Sequence, residues 1–138
     1  MEKEFVPYEQ ALALKELGFD EICFAHYCNG DLITKTAILK SSTMLYYQQN
    51  NINPNNQYKH QNCTAPLYQQ AFRWFREKYN IECYVNCYWS EEDSSKRTYY
   101  ANYNYGSDIF FTIKTEFSSY EEAELECLKK LIEIVKNK

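Results

Sequence analysis

The sequence predicts an α+β fold, in which a single domain over residues 1–138 has an antiparallel sheet with helices packed mainly on one side. Three observations favour this class. Apolar residues recur at helical spacing in three segments and alternate with polar residues in others, and the dipeptide Asn29-Gly30 is typical of a tight hairpin turn. The predicted order of elements is α-β-β-(loop)-α-β-β-β-α.

The first predicted elements are a helix and a β-hairpin. Pro7 suits the first turn of a helix, and Gly18 suits the position that follows its end. The hairpin strands are predicted over residues 22–27 and 32–40, because a type I′ turn between them needs two residues that accept positive φ.

A polar segment rich in Asn and Gln occupies about residues 48–63. It has too little apolar area to form a core of its own, so we predict a surface loop. Residues 43–47, just before it, are predicted to add a strand.

The second half predicts a helix, three strands and a closing helix. The first helix begins near Pro66 and ends at Asn80. Two overlapping capping boxes, which start at Ser118 and Ser119, predict where the last helix begins. This α-β-β-β-α order resembles that of double-stranded-RNA-binding domains.

Period-two alternation assigns the residues of the three strands to two faces. The set predicted to face the core is Cys83, Val85, Cys87, Trp89, Tyr99, Ala101, Tyr103, Tyr105, Ile109, Phe111 and Ile113. Cys83 and Cys87 are both expected to stay free thiols, because four residues of strand span about 13 Å, which is too far for a disulfide between them.

The opposite strand face is rich in Tyr and Asn, which combine apolar area with hydrogen-bonding groups, as adaptable binding surfaces do. Its predicted members are Tyr84, Asn86, Tyr88, Thr98, Tyr100, Asn102, Asn104, Phe110, Thr112 and Lys114. We expect binding to depend on Tyr84, Asn86, Tyr88, Tyr100 and Asn102. The alternative is a structural face, because Tyr and Thr also have high strand propensity and the N-terminal hairpin could cover it.

Charge and composition disfavour several classes of partner. Nineteen acidic residues against fifteen basic ones give a net charge of −4, and no segment is strongly basic, so duplex nucleic acid is an unfavoured partner. No apolar run reaches the length of a membrane span. The N-terminus does not resemble a secretion signal, so a cytoplasmic location and reduced cysteines are expected.

Catalytic and metal-binding patterns are sparse, and no cofactor, catalytic residue or metal site is predicted. The spacing of Cys83 and Cys87 on a strand is too wide for one zinc ion. A Cys–His nucleophile, either Cys63 with His60 or Cys28 with His26, leaves a cysteine hydrolase open as an alternative.

Three segments resemble a family of small proteins found in phages and mobile elements of gut Bacteroidales. They are VPYEQALALKELGF near the N-terminus, APLYQQAFRWFREK from Ala65, and YEEAELECLKKLIEIVK from Tyr120. The resemblance implies a bacterial host and a role in a phage or mobile element, and it transfers no activity or catalytic residue.

The function predicted from these observations is that of a small non-catalytic binding protein, an accessory factor of a phage or prophage, whose partner is a protein or a small molecule. The alternatives are a nucleic-acid-binding module, which rests on the RNA-binding-domain order of elements, and the cysteine hydrolase. The closing helix argues against the first alternative, because Glu121, Glu122 and Glu124 stand where that family has a lysine cluster that binds phosphates.

Overall fold

The computed structural model describes residues 2–34, 62–93 and 95–138. The strand predicted over residues 43–47 lies outside this part of the chain. So does the loop predicted over residues 48–63, except for its last two residues.

Contacts divide the chain into two compact units, Met1–Leu67 and Tyr68–Lys138. Helices and antiparallel strands occur in both, so the predicted α+β class is confirmed. The described strands form two three-stranded sheets, one in each unit, where the sequence predicted one sheet.

The first unit combines a short 3₁₀ helix, Glu2–Glu4, with one α-helix and a small sheet of order β2-β1-β3. Its further elements are α1 (Tyr8–Glu16), β1 (His26–Cys28), β2 (Asp31–Ile33) and β3 (Cys63–Thr64). Gly18, with a φ of +87°, follows the end of α1, as the sequence predicted. Pro7, expected at the first helical position, is instead the N-cap residue, because α1 begins at Tyr8.

The hairpin turn is confirmed. Asn29 and Gly30 both have positive φ, +54° and +91°, and the residues on either side of them pair directly. The first strand is shorter than predicted, since β1 is only three residues long. Residues 35–40 of the second predicted strand lie outside the described residues. Cys63, assigned to the loop in the sequence analysis, instead pairs with Tyr27 in β3 and is fully buried. A strand of two residues shows no periodicity, so the sequence could not reveal it.

The second unit has the predicted α-β-β-β-α order. Its elements are α2 (Tyr68–Tyr79), β4 (Glu82–Trp89), β5 (Arg97–Asn104), β6 (Phe111–Phe117) and α3 (Tyr120–Lys136). Asn80, with a φ of +54°, ends α2. The side chain of Ser119 accepts a hydrogen bond from the backbone N–H of Glu122 at 3.1 Å, so Ser119 is the N-cap residue of α3. The carboxylate of Glu122 accepts a hydrogen bond from the backbone N–H of Ser118 at 3.2 Å.

The sheet of the second unit has the order β4-β5-β6. The pairing of β4 with β5 is regular over eight residue pairs, whereas β6 pairs with β5 through two register shifts. Residues of α2 and α3 pack on one face of this sheet. The resulting core contains Ala101, Phe117, Ala123 and Cys127, with Phe72, Cys83, Val85, Tyr99 and Ile113 packed against them.

The core face is shorter than the alternation predicted. Cys87 and Trp89 share the parity of Cys83 and Val85 but are exposed, because the helices do not cover the end of β4. The same correction applies where β5 leads into β6, since Tyr105, Ile109 and Phe111 are 42%, 66% and 43% exposed.

Candidate functional site

The face of the second sheet that lies opposite α2 and α3 is called the outer face here. Its residues are Tyr84, Asn86, Tyr88, Thr98, Tyr100, Asn102, Asn104 and Thr112, with Phe110 at its margin. Strand register brings the five predicted binding residues together, since Tyr84 pairs with Asn102, Asn86 pairs with Tyr100, and Tyr88 follows on the same face. Lys114 lies in β6, and its side chain is outside the described part.

Aromatic rings on the outer face are open to solvent. Tyr84, Tyr88 and Phe110 are 38%, 44% and 55% exposed, and Tyr100 is half-buried. The rings form two contacts: Tyr84 meets Phe110 edge-to-face with centroids 5.7 Å apart, and Tyr88 lies 6.1 Å from Tyr100. The face therefore presents two neighbouring aromatic pairs.

Tyr84 is positioned by a charged neighbour at the margin of the face. Its hydroxyl donates a hydrogen bond to the carboxylate of Glu82, and this bond, together with burial, raises the pKa of Tyr84. Glu82 in turn lies 3.8 Å from the guanidinium of Arg76. Tyr84 therefore remains a neutral phenol at physiological pH.

The Asn residues of the face have different roles. Asn104 is only 4% exposed, and its side-chain oxygen accepts a hydrogen bond from the N–H of Gly106 at 3.2 Å, so it shapes the turn after β5. The side-chain oxygen of Asn102 is buried and has no hydrogen-bond partner among the described residues. A buried acceptor without a partner destabilises a fold by about 1–3 kcal/mol, which singles out Asn102 among the residues of this face.

Charged groups of both signs lie at one end of the outer face. A shallow cleft of about 470 Å³ adjoins the face there. The cleft is lined by Tyr88, Ser90, Lys96, Arg97, Thr98, Glu116, Phe117 and Ser118. The described side chains of the face itself include no Lys or Arg, and Glu82, which pairs with Asn104 and shares the parity of Tyr84, adds one carboxylate at its other end.

An exposed Trp–Arg pair was not anticipated from the sequence. Trp89 pairs with Arg97 across β4 and β5, and the guanidinium carbon of Arg97 lies 4.5 Å from the centre of the indole ring. Trp89 is 53% exposed. The pairing could have been predicted from the sequence, because Trp89 and Arg97 flank the loop that joins β4 and β5.

The predicted nucleophile candidates lie in the first unit. Burial raises the pKa of the Cys63 thiol to about 12, and Lys15 opposes part of this increase. Burial also lowers the pKa of His26. His60, the other predicted base, lies outside the described residues. Within the described residues no three His, Cys, Asp or Glu side chains form a group that could hold a metal ion.

No helix in the described part of the chain is both long and apolar enough to cross a bilayer.

Comparison of the chain with protein-family models, curated proteins and solved structures finds no match. Function is therefore inferred from the geometry of the chain itself.

Proposed function

We propose that this chain is a non-catalytic binding protein whose outer face docks a protein partner. The observation that carries the proposal is the exposure of Tyr84, Tyr88 and Phe110 on a sheet face whose β4–β5 pairing is regular. Tyr supplies a large rigid contact area at a low cost in conformational entropy, and its hydroxyl satisfies a hydrogen bond at the rim of a contact.

The shape and charge of the face favour a protein over the other classes of partner. Small-molecule sites are concave and enclose most of their ligand, whereas this sheet face presents its rings side by side. Duplex nucleic acid is bound mainly through Lys and Arg, and the described outer-face side chains include neither. A polar face with aromatic residues and few charged groups is typical of contacts between proteins.

The two alternative functions have weaker support. The α-β-β-β-α order of the second unit favours an RNA-binding module, but Glu121 and Glu122 are exposed in the first turn of α3, where they would repel phosphates. A hydrolase that uses Cys63 would need a thiolate, and a pKa of about 12 leaves the thiol protonated at neutral pH.

The biological setting is part of the proposal. The resemblance of three segments to proteins of phages and mobile elements supports an accessory role in such an element, acting in the cytoplasm of a bacterial host.

Site-specific photo-crosslinking tests the proposal directly. A photoreactive phenylalanine analogue replaces Tyr88 in one variant and Lys129 in a matched control, since Lys129 is exposed on α3, away from the outer face. After irradiation in host lysate, we expect a discrete protein adduct at position 88 that the control lacks. Mass spectrometry identifies the adduct, and the purified partner is then titrated.

Affinity and stability must respond differently to truncation. We expect Tyr88→Ala and Tyr100→Ala to weaken binding of that partner about tenfold or more, and Lys129→Ala to leave it unchanged. Phe75→Ala empties a fully buried position and should cost about 3–5 kcal/mol in urea unfolding. The proposal fails if the Tyr variants bind normally, or if they destabilise the chain as much as Phe75→Ala does.

Nucleic acid is tested in parallel. We expect no submicromolar gel shift with duplex RNA at physiological salt. A tight shift with a steep salt dependence would instead support the RNA-binding alternative.

A further inference from the structure

We propose that Cys83 and Cys127 are a disulfide-forming site, at which a low-molecular-weight disulfide oxidant covalently joins β4 to α3. This inference is independent of the outer face, because both residues lie on the opposite, helix-covered side of the sheet.

Cys83 and Cys127 meet in the same core cluster. Cys127 is fully buried in the core of the second unit, and Cys83 packs against that core from β4. The sulfur of Cys127 also lies 4.0 Å from the backbone oxygen of Tyr84, the residue that follows Cys83, which places it directly over the strand.

Cys83 and Cys127 differ in solvent exposure, and this difference sets the order in which they react with the oxidant. Cys83 is only partly buried and reacts first. Its thiolate attacks the disulfide reagent, which releases one thiol and leaves a mixed disulfide on Cys83. The thiolate of Cys127 then attacks the sulfur of Cys83 and releases the second thiol. Two electrons pass from the protein thiols to the reagent, and the two protons end on the released thiols.

The environment of Cys127 makes the second step slow at neutral pH. In the reduced chain the neighbouring Cys83 thiol, and then burial, raise the pKa of Cys127. The contribution of Cys83 ends when it forms the mixed disulfide, but burial and the nearby carboxylates of Glu124 and Glu126 still raise the pKa of Cys127. Bond formation should therefore accelerate as the pH rises, since only the thiolate attacks.

Cys87 provides an internal control on the same strand. It is exposed, so it reacts with reagents readily, but it lies near the uncovered end of β4 and is not part of the core cluster. If exposure alone decided which cysteine forms the disulfide with Cys127, Cys87 would be favoured. Proximity to Cys127 favours Cys83 instead.

The test uses the full chain, reduced, desalted and then incubated with glutathione disulfide at about pH 8. Unreacted thiols are alkylated, and the protein is digested with trypsin without reduction. In the Cys87→Ser variant we expect the peptide of residues 79–96 to be linked to that of residues 115–129. The thermal midpoint of the oxidised protein should rise by roughly 10 °C and return after reduction.

The Cys83→Ser variant, which retains Cys87, should give neither the linked peptides nor the rise in midpoint. This variant keeps the test decisive even if Cys127→Ser does not fold. The proposal is overturned if the Cys87→Ser variant gives no linked peptides, if Cys83 stops at the glutathione adduct, or if Cys87 links to Cys127 as readily as Cys83 does.

Discussion

Two buried thiols of the first unit should make its stability fall in alkaline solution. Cys63 is fully buried and Cys23 is 1% exposed. Burial raises the pKa of Cys63 from 9.0 to about 12 and that of Cys23 to about 11. Unfolding exposes both thiols and returns their pKa values towards 9, so the unfolded chain binds fewer protons above pH 9. The stabilising contribution of the two protonated thiols is therefore fully present below that pH, and it is lost as the pH rises towards their pKa values in the folded state.

The size of the loss follows from these values. At about pH 10.5 an exposed thiol with a pKa near 9 gains roughly 2 kcal/mol by ionising, because each unit is worth about 1.4 kcal/mol. Cys63, with a folded pKa of about 12, gains almost nothing in the native state. A loss of this size matters in a fold whose net stability is about 5–15 kcal/mol.

The assay is urea unfolding of wild type and Cys63→Ala at about pH 8 and about pH 10.5, followed by circular dichroism with a reductant present. Lys and Tyr side chains ionise in both proteins, so their contributions cancel in the difference. The cost of Cys63→Ala in unfolding free energy should be smaller by about 2 kcal/mol at the higher pH. A cost that stays the same at both pH values would show that burial does not suppress ionisation of Cys63.

Two further predictions concern backbone positions of the second unit. Ser119→Ala removes the side-chain cap of α3 and should lower the free energy of unfolding by about 1 kcal/mol in urea, while Ser119→Asp, which can also cap, should retain most of it. Gly106 has a φ of +64°, and a Cβ there would lie 2.2 Å from the side-chain nitrogen of Asn80. Gly106→Ala should therefore cost about 1–3 kcal/mol, and Asn80→Gly in the same chain should recover part of that cost. Strict additivity of the two changes would argue against the contact.

The features predicted correctly from the sequence are those that depend on one or two residues. The Asn29-Gly30 turn, the end of α2 at Asn80 and the cap at Ser119 all have the conformation expected of those residue types. Each is decided by local backbone preference, which tertiary contacts do not override here. The α-β-β-β-α order follows in the same way, because long amphipathic segments show their period clearly.

The features that the sequence could not predict depend on how far one element covers another. Alternation assigns Cys87 and Trp89 to the same face as Val85, but it says nothing about where the helices end. The two register shifts in β6 depend on pairing with β5 and leave no period in the sequence.

The candidate site also has features that the sequence predicts and features that depend on tertiary contacts. Strand parity placed Tyr84, Asn86, Tyr88, Tyr100 and Asn102 on one face, which the register of β4 and β5 bears out. The environment of the Asn102 side-chain oxygen, which has no partner among the described residues, and the turn-shaping role of Asn104 depend on atomic contacts that composition does not encode. The binding role of the five residues remains a prediction.

The contrast between the two tryptophans makes the chain its own optical reporter. Trp74 is 7% exposed and packs against Phe75 and Tyr79, whereas Trp89 is 53% exposed beside Arg97. A soluble quencher such as acrylamide therefore reaches the indole of Trp89 and leaves that of Trp74 emitting. Fluorescence from the shielded indole of Trp74 reports whether the core is intact. Fluorescence from the exposed indole of Trp89 reports changes at the end of the β4–β5 hairpin, so both regions can be followed in one unlabelled sample.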